Sequence, residues 1–261
     1  MWEVQKAIKE MASLKALGSN GMRPLFYQHY WDTIGNDVTQ FILHFLNSTC
    51  LPENLNHTFI TLIPKKNSPE YASDFRPISL CNVLYKIFSK VLANRIKKIL
   101  PKIISEHQSS FTKSRLIFDN ILVAFESLHN MQKHVGKEYY MAIKLDMSKA
   151  YDRVEWSYLE LVMRRVGFTE RWITLLMLCV KTISYSILVN GEPKWMIYPT
   201  RGIHQGDPLS PFLFLLCTKG LNGLINKAAD KGDIMPFAEI APRLTHLFFA
   251  DDSLLFCKAT I

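Results

Sequence analysis

Apolar positions in this chain switch between two periods, and the switches mark its elements. In "NVLYKIFSKVLANRIKKIL" (82–100), Val83, Leu84, Ile87, Phe88, Val91, Leu92, Ile96 and Ile99 recur every three or four residues, which predicts an amphipathic helix. Met1 to Leu17 has the same spacing before "GSNG", and Asp37 to Leu46 predicts another helix. "HTFITLIPKK" instead predicts a short strand from Thr58 to Ile63, stopped by Pro64. "YYMAIKLDM" reads as a strand, followed by a helix from Ser148 to Val166 that Gly167 ends. A further helix runs from Thr169, a favoured N-cap type, to Val180. In "SYSILVNGEPKWMIY", Asn190-Gly191 stands between two strand-like runs, the strongest short hairpin signal. "GDPLSPFLFLLCTKGLNGLINKAA" predicts a helix with Pro208 or Pro211 in its first turn. "LTHLFFADDSLLFCK" predicts two short strands meeting at Asp251 and Asp252. Helices first, then strands interleaved with helices, imply an α+β fold with a mainly antiparallel sheet.

Composition narrows the class. The 261 residues are 48% hydrophobic, enough for one large domain or two lobes. Thirty-one Lys and Arg against 23 Asp and Glu leave a formal charge of +8, which suits a polyanionic partner such as nucleic acid. Cys50, Cys81, Cys179, Cys217 and Cys257 are odd in number and lack a C-x-x-C pair, so reduced thiols are expected rather than zinc or disulfides. The N-terminus has no secretory pattern, and no apolar run reaches the roughly 18 residues of a membrane span. A soluble intracellular chain is expected.

The acidic tip carries the chemistry. Asp146 ends one apolar strand, while Asp251 and Asp252 lie between two others. Strands lie about 4.8 Å apart, so carboxylates at their ends can share two divalent ions. Oxygen-only ligands favour Mg²⁺, although an Asp pair in a turn is by itself common. On the predicted 82–100 helix, Lys86, Lys90 and Lys97 fall within about 40° of one another. That stripe is either a solvated face or a surface for backbone phosphates.

Longer patterns then converge. "KLDMSKAYDRVEW" (144–156), "RGIHQGDPLSPFLFLLC" (201–217) and "FADDSLLF" (249–256) resemble motifs A, B and C of reverse transcriptases, in order and at palm-like spacing. "LIPKK" (62–66) and "DFRPISLCNVLYKIFSKVLANRIKKILP" (74–101) resemble the preceding fingers motifs. The likeness, over roughly Val4 to Ala259, is to plant-type LINE, or non-LTR, retrotransposon polymerases. It implies a right-hand architecture: a helical extension at 1–56, fingers at 57–138, and at 139–261 a palm with interleaved fingers elements. It also implies an RNA template, a DNA primer, dNTPs, two Mg²⁺ ions (Mn²⁺ as substitute) and a nuclear setting; oligomeric state stays open. By resemblance, Asp146, Asp251 and Asp252 form the catalytic triad and hold the metals, with the main-chain carbonyl of Met147. Arg76 and Lys65 would clamp the triphosphate, with Lys66 an alternative to Lys65. Gln205 and Gly206 would contact nucleotide and template base, and Arg115 the nucleic acid. Tyr151, five residues after Asp146, matches the aromatic ring that excludes a ribose 2′-hydroxyl, which favours DNA synthesis.

The chain also departs from the pattern. "KALGSNG" (15–21) replaces a "KAPGPDG"-like turn, so a looser loop is expected. "FTKSR" (111–115) puts Lys113 and Ser114 where Pro and Gly are usual. The sequence stops at Ile261, just past motif C, so a thumb is expected to be missing and processive synthesis weak or absent. A catalytically inactive, nucleic-acid-binding remnant is the alternative. His204 and His246 receive no chemistry.

Overall fold

The computed structural model describes residues 1–15, 17–112, 115–134, 139–236 and 244–259. The sequence begins with helices α1 (Trp2–Lys9), α2 (Pro24–His29) and α3 (Trp31–Ser48). Strands β1 (His57–Pro64) and β2 (Phe75–Cys81) lead to α4 (Val83–Ile96), α5 (Leu100–Ile103) and α6 (Ile117–Lys133). Strand β3 (Tyr139–Asp146), helices α7 (Trp156–Val166) and α8 (Glu170–Lys181), and strands β4 (Ser184–Val189) and β5 (Glu192–Ile197) follow. Helix α9 (Ser210–Lys231) and strands β6 (His246–Phe249) and β7 (Asp252–Ala259) complete the described order. They form two compact units, each discontinuous in sequence: Met1–Ile96 with Tyr151–Ser210, and Lys97–Ala150 with Pro211–Ile261.

The first unit holds a mixed sheet in the order β2-β1-β4-β5, in which β1 pairs antiparallel with β2 and parallel with β4. Asn190 (φ 53°) and Gly191 (φ 84°) turn β4 into β5, as their sequence predicts. Helix α4 is the centre of the apolar core. Asn82 caps it by accepting the Leu84 N–H at 2.9 Å, and Tyr85, Phe88, Leu92 and Ile96 are fully buried. Each such side chain contributes about 1.5–3 kcal/mol of transfer free energy. Helix α1 stops at Lys9 rather than near Leu17, because Gln28 donates to the Ile8 and Met11 carbonyls and so caps its end. Asn20, in the stretch expected to be loose, is tied down: it donates to Asn82 Oδ1 and to the Tyr27 hydroxyl. The helix expected from Ser148 forms only from Trp156. Lys149 is left-handed (φ 54°), and the Tyr151 and Val154 carbonyls accept N–H groups of Ile203 and Gly202 instead of continuing a helix. At its other end Gly167 (φ 95°) closes α7, with its own N–H and that of Phe168 on the last carbonyls.

The second unit holds an antiparallel sheet in the order β3-β7-β6. Leu244, Leu247 and Phe256 form its buried centre, and Ala124 and Met131 of α6 pack against them with Tyr140 and Ala142 of β3. Beside this core His246 is fully buried, with Nδ1 on Thr245 Oγ1 at 2.7 Å and Nε2 on Asn222 Oδ1 at 2.8 Å. Burial, reinforced by the neighbouring His107 ring, pushes its pKa down to about 4. A pKa depressed below its unfolded value of about 6.5 means the fold prefers the neutral ring. The associated stability is present above that value and is lost as pH falls toward 4, by about 3 kcal/mol. Urea unfolding at pH 7 and pH 4 should show this loss in the wild type and a smaller one in His246→Gln; equal losses would assign the acid sensitivity elsewhere.

All five cysteines stand outside disulfides; Cys81, Cys179 and Cys217 are buried, whereas Cys50 is exposed. Among the described residues no helix is long and apolar enough to cross a membrane.

Candidate active site

The acidic residues sit together on the second unit. Strands β3 and β7 pair so that Asp146 lies opposite Asp252, and β6 reaches β7 through Phe249 opposite Asp252, leaving Ala250 and Asp251 as the turn. Directly opposed residues hold their Cβ atoms about 4.5–5.5 Å apart, and like charges so placed repel. Asp146 and Asp252 are exposed, Asp251 and Met147 half-buried. The described cation on Asp252 is Lys144, whose Nζ lies 3.5 Å from Oδ1 on an open surface. Exposed pairs of this kind contribute about 0–1 kcal/mol, too little to offset an opposed carboxylate pair fully. The donors are all hard oxygens, and Mg²⁺ takes one or two protein carboxylates while keeping water and phosphate as further ligands. The donor set therefore fits such an ion, although among the described residues no three His, Cys, Asp or Glu close into a ready-made metal cluster.

What holds the turn comes from the 104–120 stretch. Gln108 forms a parallel bridge with Phe248, and its Oε1 accepts the Ala250 N–H at 3.2 Å. Asn120 Nδ2 donates to the Phe248 carbonyl at 2.9 Å. Arg115, expected on nucleic acid, donates instead to the carbonyls of Ile104, Ser105 and Gln108. The guanidinium fixes the loop that carries Gln108. Lys113 and Ser114 lie outside the described residues.

The residues expected to meet the nucleotide sit on the first unit. Arg76 is exposed on β2 opposite Ile63, with no side-chain partner among the described residues. Lys65 Nζ donates to the Ser73 carbonyl at 2.8 Å, and Lys66 pairs with Asp74 at 2.9 Å. A cleft of about 210 Å³ in the same unit is lined by Pro77, Ser79, Asp152, Tyr185, Arg201 and Gln205, among others. Gly202 and Ile203 join one wall to the 151–154 segment through main-chain bonds of 2.7 and 2.9 Å to Val154 and Tyr151. Gly202 (φ 88°) runs close to the 151–154 segment, since a Cβ there would meet the Asp152 carbonyl oxygen at 3.0 Å. Gly206 (φ 96°) owes its identity to conformation instead, with the nearest atom 4.0 Å away.

Behind this loop lies a charged core that periodicity did not reveal. Asp207 is buried, and burial raises its pKa to about 6 against the opposing effects of the Ser89 hydroxyl, the Leu209 N–H and Lys86. Lys86 is buried too, and burial lowers its pKa. Of the predicted lysine stripe, Lys86 lies inside, with Asp207 among the charges that act on it. Lys90 is half-buried and pairs with Glu10 at 3.2 Å, and Lys97 is exposed just past the end of α4. His204 meets Cys81 Sγ at 3.4 Å, and burial followed by Lys86 lowers its pKa to about 3. Burial pushes the Cys81 thiol up to about 12. Both groups are neutral, which makes them packing residues and no nucleophilic pair.

The match to known proteins spans both units. The profile of the family described as reverse transcriptase (RNA-dependent DNA polymerase) matches residues 63–260. The chain belongs to the reverse transcriptase family. Among its relatives, the Transposon TX1 uncharacterized 149 kDa protein of Xenopus laevis is 30% identical over 237 residues, 87% of this chain and 18% of the relative. The Uncharacterized mitochondrial protein AtMg01250 of Arabidopsis thaliana is 46% identical over 68 residues, 25% of this chain and 56% of the relative. The Retrovirus-related Pol polyprotein from type-2 retrotransposable element R2DM of Drosophila melanogaster is 28% identical over 202 residues, 72% of this chain and 19% of the relative. Relatives of this reverse transcriptase domain thus include non-LTR retrotransposon proteins of animals and a plant protein. The family match includes the Asp146 strand, the Arg76 strand, the Gln205 loop and the acidic hairpin. Gln108 and Gly202, which hold two of those features in place, escaped the motif reading because their roles depend on a distant segment.

Proposed function

We propose that this chain is the catalytic core of an RNA-directed DNA polymerase from a plant-type LINE, acting in the nucleus on an RNA template, a DNA primer and dNTPs. In this reading residues 57–138 supply fingers and 139–261 the palm with interleaved fingers elements, after a helical extension at 1–56. The observation that carries it is the register of Asp146 against Asp252, with Asp251 at the adjoining turn, inside the region matched by the family. The higher identity of the short plant match supports the plant-type assignment.

Asp146, Asp251 and Asp252, with the Met147 carbonyl, would hold two Mg²⁺ ions, or Mn²⁺ in their place. When bound, such ions acidify the primer 3′-hydroxyl and stabilise charge on the transferring phosphoryl group and pyrophosphate. Arg76 binds the triphosphate, for which its guanidinium, without a side-chain partner among the described residues, is suited by its fork of donors. Lys65 assists as a point charge, while exposed Lys97, and Lys90 on exchange of its Glu10 partner, serve backbone phosphates. Gln205 and Gly206 meet the nucleotide and the template base, and Tyr151 closes the space that a ribose 2′-hydroxyl would need.

Single-nucleotide extension of a DNA primer on an RNA template tests this. Deoxynucleotides should be added and matching ribonucleotides rejected. Tyr151→Val should raise ribonucleotide use relative to deoxynucleotide by about 10²-fold, the range a pocket achieves over one small group. An unchanged ratio would remove Tyr151 from sugar selection. A second reading, an inactive nucleic-acid-binding remnant, is favoured by Lys144 already engaging Asp252. It predicts salt-sensitive primer-template binding without extension.

A further inference from the structure

The turn bearing Asp251 is poorly suited to form by itself. Two-residue hairpin turns favour Asn and Gly, but here the residues are Ala250 and Asp251, and Ala250 is left-handed (φ 53°). A left-handed alanine is strained by its Cβ. The missing hold comes from outside the hairpin. Gln108 is 1% exposed, and its Oε1 accepts both the Ala250 N–H at 3.2 Å and the Ser110 N–H at 3.0 Å. The main chain on either side of Gln108 grips Phe248: the Phe248 N–H donates to His107 at 2.8 Å, and the Ser109 N–H donates to Phe248 at 3.3 Å. Meanwhile Gln108 Nε2 is buried with no hydrogen-bond partner among the described residues. An unpaired buried donor costs free energy that an apolar side chain of the same volume would avoid. Glutamine at this place is therefore expensive for packing, and its return is the acceptor it offers the turn.

We infer that Gln108 is the positioning residue of the acidic hairpin, holding Ala250 so that Asp251 and Asp252 face a divalent ion in a binding-competent conformation. The inference rests on the proposed metal-binding role of those aspartates, which the test separates from it. The full chain is compared as wild type, Gln108→Met, Gln108→Glu and Asp251→Asn. Methionine keeps the volume without the acceptor, whereas glutamic acid keeps an accepting oxygen. Hydrogen–deuterium exchange of the 246–256 peptide reports on the turn, and Mn²⁺ titration followed by electron paramagnetic resonance reports on the site without any turnover.

Gln108→Met should speed exchange of that peptide and weaken Mn²⁺ binding, each by about tenfold, the effect of one ordinary hydrogen bond. The β4–β5 peptide should not change, and Gln108→Glu should stay near wild type in both measurements. A folding defect alone would accelerate exchange in both peptides. If wild type binds Mn²⁺ through Asp251 and Gln108→Met alters neither measurement, the positioning role is overturned. If wild type and Asp251→Asn bind Mn²⁺ equally, the metal reading itself fails, and with it the functional part of the inference; turn exchange then shows separately whether Gln108 holds Ala250. Should Gln108→Met not fold, Gln108→Glu decides: wild-type exchange and affinity support the inference, and a folded protein with an accelerated turn overturns it.

Discussion

Asp251→Asn is expected to reduce single-nucleotide extension on the order of 10³-fold, about 4 kcal/mol of lost charge stabilisation at the reacting phosphoryl group. The substitution keeps size and removes one negative charge from a hairpin where Asp146 and Asp252 already oppose each other across strands. Repulsion falls, so thermal stability should hold steady or rise while activity disappears. That opposite movement separates a metal-binding role from a structural one, because loss of a structural carboxylate lowers both. Lys144→Ala is the matched control. It removes the exposed ammonium 3.5 Å from Asp252 and should leave extension intact or improve it. Extension by Asp251→Asn at the wild-type rate would remove that aspartate from the chemistry. No extension by the wild type, with primer-template still bound, would favour the inactive remnant.

Gly18→Ala is expected to destabilise the first unit by about 3 kcal/mol or more, the upper range for overpacking, because the neighbour is rigid main chain. A Cβ at Gly18 would lie 2.2 Å from the Cys81 carbonyl oxygen, 2.5 Å from its carbon and 2.7 Å from Asn82 N. None of these is the end of a flexible side chain. Cys81 is fully buried at the end of β2, and Asn82 caps α4, so relief would have to displace the start of the central helix. For a chain of this size the expected fall in Tm is about 6–12 °C. Gly21→Ala provides the contrast. Nothing lies within 4 Å of its would-be Cβ, and its φ of 66° implies a cost of only about 1–2 kcal/mol. Circular-dichroism melts of both variants test the pair; equal Tm values would show that the approach at Gly18 is not tight in solution.

Local chemistry made much of the fold readable. The Asn190-Gly191 turn and the Gly167 stop each depend on backbone preferences of two or three residues, and each appears where its residues predict. The motif order was readable for a similar reason, since side chains that meet phosphate and metal leave short, dense signatures. Helix ends were less readable. The Ser148–Val166 expectation overran because Lys149 turns left-handed and the following carbonyls bond to the Gly202 segment, some fifty residues away. Likewise α1 ends where Gln28 reaches its carbonyls.

The sequence by itself therefore determined the element types, the basic and carboxylate chemistry, and the family. Only the tertiary structure decided which of its charges are available. Lys86 shares a predicted helical stripe with Lys90, yet packing buries it beside Asp207, while Arg115 turns inward onto three carbonyls. Periodicity describes the face of one element, whereas burial depends on what another element lays upon it. Gln108 follows the same logic: its acceptor has meaning only because β6 brings Ala250 to it from 142 residues away.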